Sequence, residues 1–231
     1  MKKKIVILTG AGISQESGIA TFRDAGGLWE GFDIEEVATP RGWTRNPELV
    51  LDFYNQRRKN VREAQPNAAH LALKKLEKKF ETHIITQNID DLHERAGSSN
   101  IIHLHGEIMK ARSNVDENLL YDLGDEDIKI GDRCKKGSQL RPHVVWFGED
   151  VPMMEEAILK VADADIIMVI GTSMVVYPAA GLVNFANPYI PKYVIDPVIP
   201  EGLYQKNLTT IAKKAGEGVP EVVEMLMGDN Q

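Results

Sequence analysis

The 231-residue chain holds one cysteine, Cys134, so no intrachain disulfide can form and a reducing, cytoplasmic setting is expected. No apolar run approaches the length of a membrane span, so membrane association is not expected. The lysines of "MKKKIVILTG" are followed by only four apolar residues before Thr9 and Gly10. That is too short for a signal peptide, and the segment reads as a first β-strand. Excess positive charge is also missing. With 27 Lys and Arg against 34 Asp and Glu, the net charge of −7 offers nothing to a phosphate backbone, and nucleic acid is not an expected partner. Repeats and low-complexity segments are absent. What remains is a chain long enough to bury a full core, 43% hydrophobic and 26% charged.

Short apolar, β-branched runs recur along it: "KIVILT", "THIIT", "NIIHLH", "HVVWFG", "ADIIMVIG" and "KYVID". Runs apolar throughout predict parallel strands covered on both faces. Between them lie helical patterns. "PNAAHLALKKLEKKF" puts Ala69, Leu73, Leu76 and Phe80 on one face, with lysines elsewhere. Pro47 after Asn46, and Pro66, fit first helical turns. The alternation predicts an α/β fold, a doubly wound, Rossmann-like parallel sheet. Two stretches interrupt it: 22–61, helical without a strand, and 107–140, polar and weakly periodic. Both are expected to form a smaller inserted module, leaving 1–21, 62–106 and 141–231 to the large part. The cleft between the two is the default ligand site.

Four segments carry candidate chemistry. After the first strand, "TGAGISQESGIATFRD" places Gly10 and Gly12 where a backbone approaches a phosphate and donates N–H groups, or where a tight turn is needed. The third glycine of a dehydrogenase fingerprint is missing, since Gly18 comes six residues after Gly12. "TQNIDDLHERAG" sets Gln87, Asn88 and Asp90 at a strand end, as helix caps or as groups holding ribose and carboxamide. "HLHGE" offers His103 and His105, two apart and so on one face of a strand, as metal ligands or with a single histidine as general base. "GTSMVVYPAAGL" ends a strand with Gly171, Thr172 and Ser173, a second contact to phosphate or ribose or an ordinary N-cap turn. His70, His83, His93 and His143 are expected on the surface or satisfied in the core.

Taken in order, "GAGIS", "SGIATFRD", "TQNIDDLH", "HG", "RPHVVWFGE" and "GTSMVVYPAAG" resemble the sirtuin family of NAD-dependent protein-lysine deacylases over nearly the whole chain. The resemblance implies NAD as cofactor, acylated lysines of proteins as substrates, and nicotinamide and 2′-O-acyl-ADP-ribose as products. It assigns Gly10, Ala11, Gly12, Ile13 and Ser14 to the pyrophosphate loop, and Phe22, Arg23 and Trp29 to a loop covering the cofactor. Gln87, Asn88, Ile89 and Asp90 hold nicotinamide and its ribose. His105 is the catalytic base. Val145, Phe147, Gly148 and Glu149 form the strip that pairs with the substrate backbone and lines the lysine channel. Gly171, Thr172 and Ser173 contact the adenosine side, and Ala215 makes a late backbone contact to adenine. Asp196 stands where the family usually has Asn, and can accept from ribose hydroxyls but not donate. A monomer is expected.

Sirtuins commonly carry a zinc module with two cysteine pairs where this chain has 107–140. Ser113 and Asp116 stand at the first pair, Cys134 and Gly137 at the second. One thiolate of four does not close a zinc site, so no metal is expected, with Leu119, Leu120, Tyr121, Ile128 and Ile130 as candidates to pack the module. Tyr54 and Arg57, three apart on a predicted helix, share a face with Val50 and Val61, while Arg58, Lys59 and Arg62 are expected on the solvated face. Within the resemblance, Tyr54-x-x-Arg57 and Ala38 match the branch that removes succinyl and malonyl groups. Alternatives on the same scaffold are NAD cleavage, mono-ADP-ribosyl transfer, or a non-catalytic NAD sensor.

Overall fold

A computed structural model describes residues 2–20, 28–29, 31–172, 179–199 and 206–228. In chain order the strands are β1 (Lys4–Thr9), β2 (Leu28–Trp29), β3 (Phe32–Asp33), β4 (Glu81–Thr86), β5 (Ile101–His103), β6 (Gly106–Ser113), β7 (Leu120–Asp122), β8 (Leu140–Val144), β9 (Ile166–Ile170), β10 (Lys192–Ile195) and β11 (Leu208–Ile211). The helices are α1 (Ile34–Val37), α2 (Pro40–Arg45), α3 (Pro47–Glu63), α4 (Ala68–Leu76), α5 (Leu92–Arg95), α6 (Met154–Ala162) and α7 (Ala215–Gly228).

The large part is an α/β Rossmann-like fold around a six-stranded sheet in the order β11-β10-β9-β1-β4-β5, every neighbouring pair parallel. The alternation of β1 explains why its run is apolar throughout. Ile5 and Ile7 face one core with Leu73 and Leu76 of α4 and Val219 and Val223 of α7. Val6 and Leu8 face the other with Ala157 and Val161 of α6. A strand buried on both sides has no polar face to show. The chain runs outward from β1 through β4 and β5, then restarts at β9 on the opposite side of β1. The strand order thus reverses between β1 and β9, and the crevice outside the carboxyl ends at such a switch is the usual ligand position in these sheets.

A small module lies beside it. β7-β6-β8 form an antiparallel sheet that shares a core with α1, α2 and α3 through Val37, Trp43, Phe53, Ile108, Ala111 and Trp146. Several expectations are corrected here. "HVVWFG" is not a strand of the parallel sheet. Leu140–Val144 pairs antiparallel with β6, and Trp146 packs in the small core, so the small module reaches past residue 140. The stretch 22–61 is not strandless, since β2 and β3 pair as a short hairpin. β11, "LTTI", was not foreseen, because it has too few apolar residues to stand out. "AAGLVNF" winds as a 3-10 helix. Pro66 precedes α4 rather than entering it, and Asn67 is the cap: its side chain accepts from Ala69 N, and its own N–H bonds His70 Nδ1. Asn46 does cap α3, accepting from Leu49 N at 3.1 Å, with Pro47 in the first turn.

Candidate active site

The crevice continues as a cavity of about 430 Å³ that reaches from the β1 and β9 loops into the small module. Most of the assigned residues line it: Gly10, Ala11, Gly12 and Ser14 from the first loop; Gln87, Asn88, Ile89 and Asp90 after β4; Gly171, Thr172 and Asp196 after β9 and β10. Phe22, Arg23 and Ser173 lie outside the described residues. Ile13 and Ala215 do not line the cavity, because both are buried in the core beneath it.

The glycines act differently from the expectation. Gly10 N–H donates to Ile170 O at 3.0 Å and Gly12 N–H to Gly171 O at 2.9 Å, so both amides are engaged by β9 and its turn rather than offered to a phosphate. Ile13 and Ser14 donate back to Gly10 and Ala11 carbonyls, closing a 3-10 turn. What the glycines provide is closeness. A Cβ on Gly12 would sit 2.7 Å from Gly171 Cα, and one on Gly10 2.8 Å from Gly171 O, so the two loops touch backbone to backbone. Gly171 itself has φ +61°, a left-handed conformation that favours glycine.

Beneath this cradle a short relay is locked in place. Asn88 Nδ2 donates to Ser14 Oγ at 3.1 Å, and the Ser14 hydroxyl donates to Asp90 Oδ2 at 2.9 Å. Asp90 Oδ1 accepts from Leu92 N, so Asp90 also starts α5. The capping reading of "NIDD" holds for Asp90, and Asn88 and Asp90 also line the cavity. Burial raises the Asp90 pKa against these donors.

The two histidines part company. β5 ends at His103, and His105 sits in the following turn, so they do not share a strand face. His103 Nδ1 faces Asn88 O at 3.1 Å and Nε2 faces Glu94 Oε1 at 2.7 Å. Both partners only accept, a setting that favours the doubly protonated ring. Burial lowers its pKa, but Glu94 and the Asn88 carbonyl prevail and the net shift is upward. With both nitrogens facing acceptors, His103 has no lone pair set toward the cavity as a base or metal ligand would need. His105 instead donates from Nδ1 to Gln87 O at 3.0 Å, which leaves the lone pair on Nε2. Burial lowers its pKa, so the ring is a neutral base around pH 7. His105 lines the cavity, and Gly106 after it has φ +82° where a Cβ would lie 2.2 Å from His143 O.

The inner end of the cavity is built from the small module. Tyr54 and Arg57 share the buried face of α3, as their spacing predicts, and both line the cavity with Ala38. The Arg57 guanidinium carbon lies 4.1 Å from the Trp29 ring centroid and 5.4 Å from that of Phe53. Trp29 thus packs over this end of the cavity. Arg58, expected in solvent, is fully buried. Its Nε donates to Ile108 O and its Nη1 to Asn55 Oδ1, and burial lowers its pKa to about 10, still charged at neutral pH.

Val145, Phe147, Gly148 and Glu149 line the outer channel, with Phe147 half exposed. Within this strip the amides of Val145, Phe147 and Glu149 are engaged by the protein itself. They donate to His105 O, Ala38 O and Trp146 O. The Glu149 carboxylate is held by Arg141 and Arg112 at 2.7–3.2 Å.

The degenerate metal module does not fit zinc. The Ser113 hydroxyl hydrogen-bonds the Cys134 thiol and, with nearby backbone amides, outweighs burial to lower the thiol pKa. Asp116 pairs with Lys136 at 2.7 Å, and no group of three metal-ligating side chains is found among the described residues. Ile128 is buried and Tyr121 packs against the same core, but Leu120 and Ile130 are exposed, so only part of the expected apolar set packs the module. Polar clips stand in. Asn55 exchanges two hydrogen bonds with the backbone of Ile128, and the Tyr121 hydroxyl accepts from Lys135 N. Purified protein is expected to contain well under one zinc per chain and to keep its Tm and activity in chelator. One tightly held zinc per chain, with unfolding on its removal, would refute this.

A doubly wound sheet with a crevice at its strand switch, a neutral histidine base and an inserted module that closes one end define a dinucleotide-dependent catalytic fold. Residues 10–178 match the model of the Sir2 family. An NAD-dependent protein deacylase of Helicobacter pylori (strain J99) is 52% identical over 227 residues, covering 96% of this chain and 97% of the relative. One of Bacteroides thetaiotaomicron is 49% identical over 230 residues, covering 97% and 98%. Among solved structures, a Sir2 homologue–NAD complex superposes with TM-score 0.85 at 41% identity, covering 98% of this chain and 90% of the other. A Sir2 bound to acetylated peptide gives 0.79 at 31% identity, covering 98% and 94%. This chain belongs to the Sir2 family, the sirtuins.

The side chain that sequence reasoning passed over is Trp146. It was visible only as the middle of "VVWFG", and nothing local shows that it turns inward to meet α3.

Proposed function

We propose that this enzyme, an NAD-dependent protein deacylase, prefers lysines carrying acidic acyl groups, succinyl and malonyl, over acetyl-lysine. One observation carries the preference: the Arg57 cation lies in an otherwise apolar inner cavity, over Trp29 and beside Tyr54 and Ala38. A small side chain at Ala38 leaves length for a longer acyl chain, and a guanidinium fork suits its terminal carboxylate.

The crevice fits NAD on two grounds. Glycine at positions 10 and 12 lets the β1 loop lie directly on Gly171 and Thr172 at the edge of the cavity, and the Ser14–Asn88–Asp90 relay offers polar groups beside it. When bound, NAD supplies the electrophilic ribose carbon and the acceptor for the acyl group. The chain's own residues do the rest. The channel lined by Phe147 and Val145 orients the acyl-lysine, and the apolar walls exclude water. His105 Nε2 would accept a proton there, since the Gln87 carbonyl engages Nδ1 and holds the ring in the tautomer that leaves Nε2 free.

The test is kcat/KM on one peptide bearing acetyl-, malonyl- or succinyl-lysine, with wild type and Arg57→Met. Charge-assisted hydrogen bonds of about 1.5–3 kcal/mol correspond to roughly tenfold or more, so the succinyl-to-acetyl ratio should collapse by at least that factor in the variant. Equal losses on all three substrates would make Arg57 structural and remove the preference. Mass spectrometry of the products, showing acyl-ADP-ribose rather than free ADP-ribose or a modified protein, separates deacylation from ADP-ribosyl transfer.

A further inference from the structure

Behind the inner cavity runs a line of polar contacts that NAD chemistry does not use. Trp146 Nε1 donates to Tyr54 Oη at 3.1 Å, and both side chains are buried. An indole N–H can only donate, so the phenol oxygen is the acceptor in this bond. The Tyr54 proton must then point away from Trp146. Burial raises the Tyr54 pKa, so the phenol keeps that proton at all ordinary pH. Of the space around Tyr54, the cavity is where an added acceptor can enter.

Trp146 is itself held from behind. The Arg141 guanidinium carbon lies 3.2 Å from the indole centroid. Arg141 makes two hydrogen bonds to Glu149, at 2.7 and 3.0 Å, and Glu149 also accepts from Trp146 N at 2.9 Å. Trp43 packs against the indole at 5.7 Å between centroids. Arg112 joins the same carboxylate, so two guanidinium groups face one glutamate and the net charge behind Tyr54 is positive. Two features thus converge on the inner cavity: a phenol whose lone pair is already engaged, and a positive field behind it. Both favour an anionic acyl terminus over a neutral one.

We infer that Trp146 is a positioning residue for acyl selectivity, its indole N–H turning the Tyr54 hydroxyl into a donor toward an acidic acyl group. The inference rests on the acyl preference proposed above. Without the indole donor, the hydroxyl rotor has no fixed direction, and part of each encounter presents a lone pair to the carboxylate.

The experiment measures kcat and KM separately on succinyl- and acetyl-lysine forms of one peptide, for wild type, Trp146→Phe, Tyr54→Phe and the double variant. A second Trp146 replacement, with the isosteric benzothienylalanine that lacks only the N–H, guards against a failure of Trp146→Phe to fold. The succinyl-to-acetyl ratio of kcat/KM is expected to fall about threefold to tenfold with either replacement, through a raised KM for the succinyl peptide. The double variant should lose no more than Tyr54→Phe alone, because the N–H acts only through the hydroxyl. An unchanged ratio, or losses that add in the double variant, would overturn the positioning role. If Arg57→Met and Tyr54→Phe also leave the ratio unchanged, the acyl preference itself fails. If those two change it and the Trp146 replacements do not, only the role of Trp146 fails.

Discussion

His105→Ala is expected to lower kcat by about 10²- to 10⁴-fold while NAD binding stays near wild type. The two effects separate because they rest on different parts of the cavity. In the reading proposed above NAD takes the crevice formed by the β1 and β9 loops, and the hydrogen bonds that hold those loops together do not involve the imidazole. In the same reading the base acts only where the ribose and the acyl-lysine meet. Single-turnover acyl transfer, with NAD affinity measured by calorimetry, tests both halves. A variant that keeps near-normal turnover would show that another group takes the proton. The wild-type pH profile gives a second reading. Burial lowers the His105 pKa, and the bond to Gln87 only partly opposes it. The neutral base therefore persists below the ordinary histidine value, and the acid limb of kcat/KM should fall at a pH lower than 6.5. The same shift ties to stability with a definite sign. Between the folded and unfolded pKa values the unfolded chain binds more protons at this residue, so its contribution to stability falls as pH drops through that window.

Gly12→Ala is expected to remove NAD binding, with at least about a tenfold loss of affinity and a destabilisation of about 1–3 kcal/mol. The added methyl carbon would stand 2.7 Å from Gly171 Cα and 2.9 Å from Gly171 O. Neither atom is the end of a flexible side chain. To make room, the β1 loop must lift from β9, which breaks the 2.9 Å bond from Gly12 N to Gly171 O and spoils the crevice at its base. Gly137→Ala is the control. Gly137 has positive φ, at +77°, but nothing lies within 4 Å of its Cβ position, and it belongs to the small module far from the loops in sequence. Gly137→Ala should cost about 1 kcal/mol of backbone strain. Its NAD affinity should be untouched. Equal NAD affinity for Gly12→Ala and wild type would mean that the close approach of the two loops is not what forms the crevice.

Several features of this protein were legible in the sequence because they depend on neighbours along the chain. The parallel strands announced themselves as unbroken apolar runs, since a strand covered on both faces has no alternation to display. Tyr54 and Arg57 fall on one face of α3 by helical periodicity alone, and Asn46 with Pro47 marks that helix's start. The ordered family motifs placed most of the cavity lining, including Ser14, Asn88, Asp90 and His105.

Other features required the tertiary structure. Arg58 looks like its solvated neighbours in sequence, yet it is buried because β6 brings the Ile108 carbonyl to it, and Asn55 supplies a second acceptor. The glycine amides looked ready for phosphate, but a strand more than 150 residues later in the chain, β9, claims them. "HVVWFG" had the composition of a core parallel strand and pairs antiparallel with β6 instead. His103 and His105 are two apart with the same ring, and only their partners, Glu94 and the Gln87 carbonyl, and their burial push their pKa values in opposite directions. Local sequence determined which faces are apolar and where helices begin, since those follow from short-range periodicity and capping. Which donor meets which acceptor was decided by packing between distant segments, because hydrogen-bond partners and burial are set by neighbours in space.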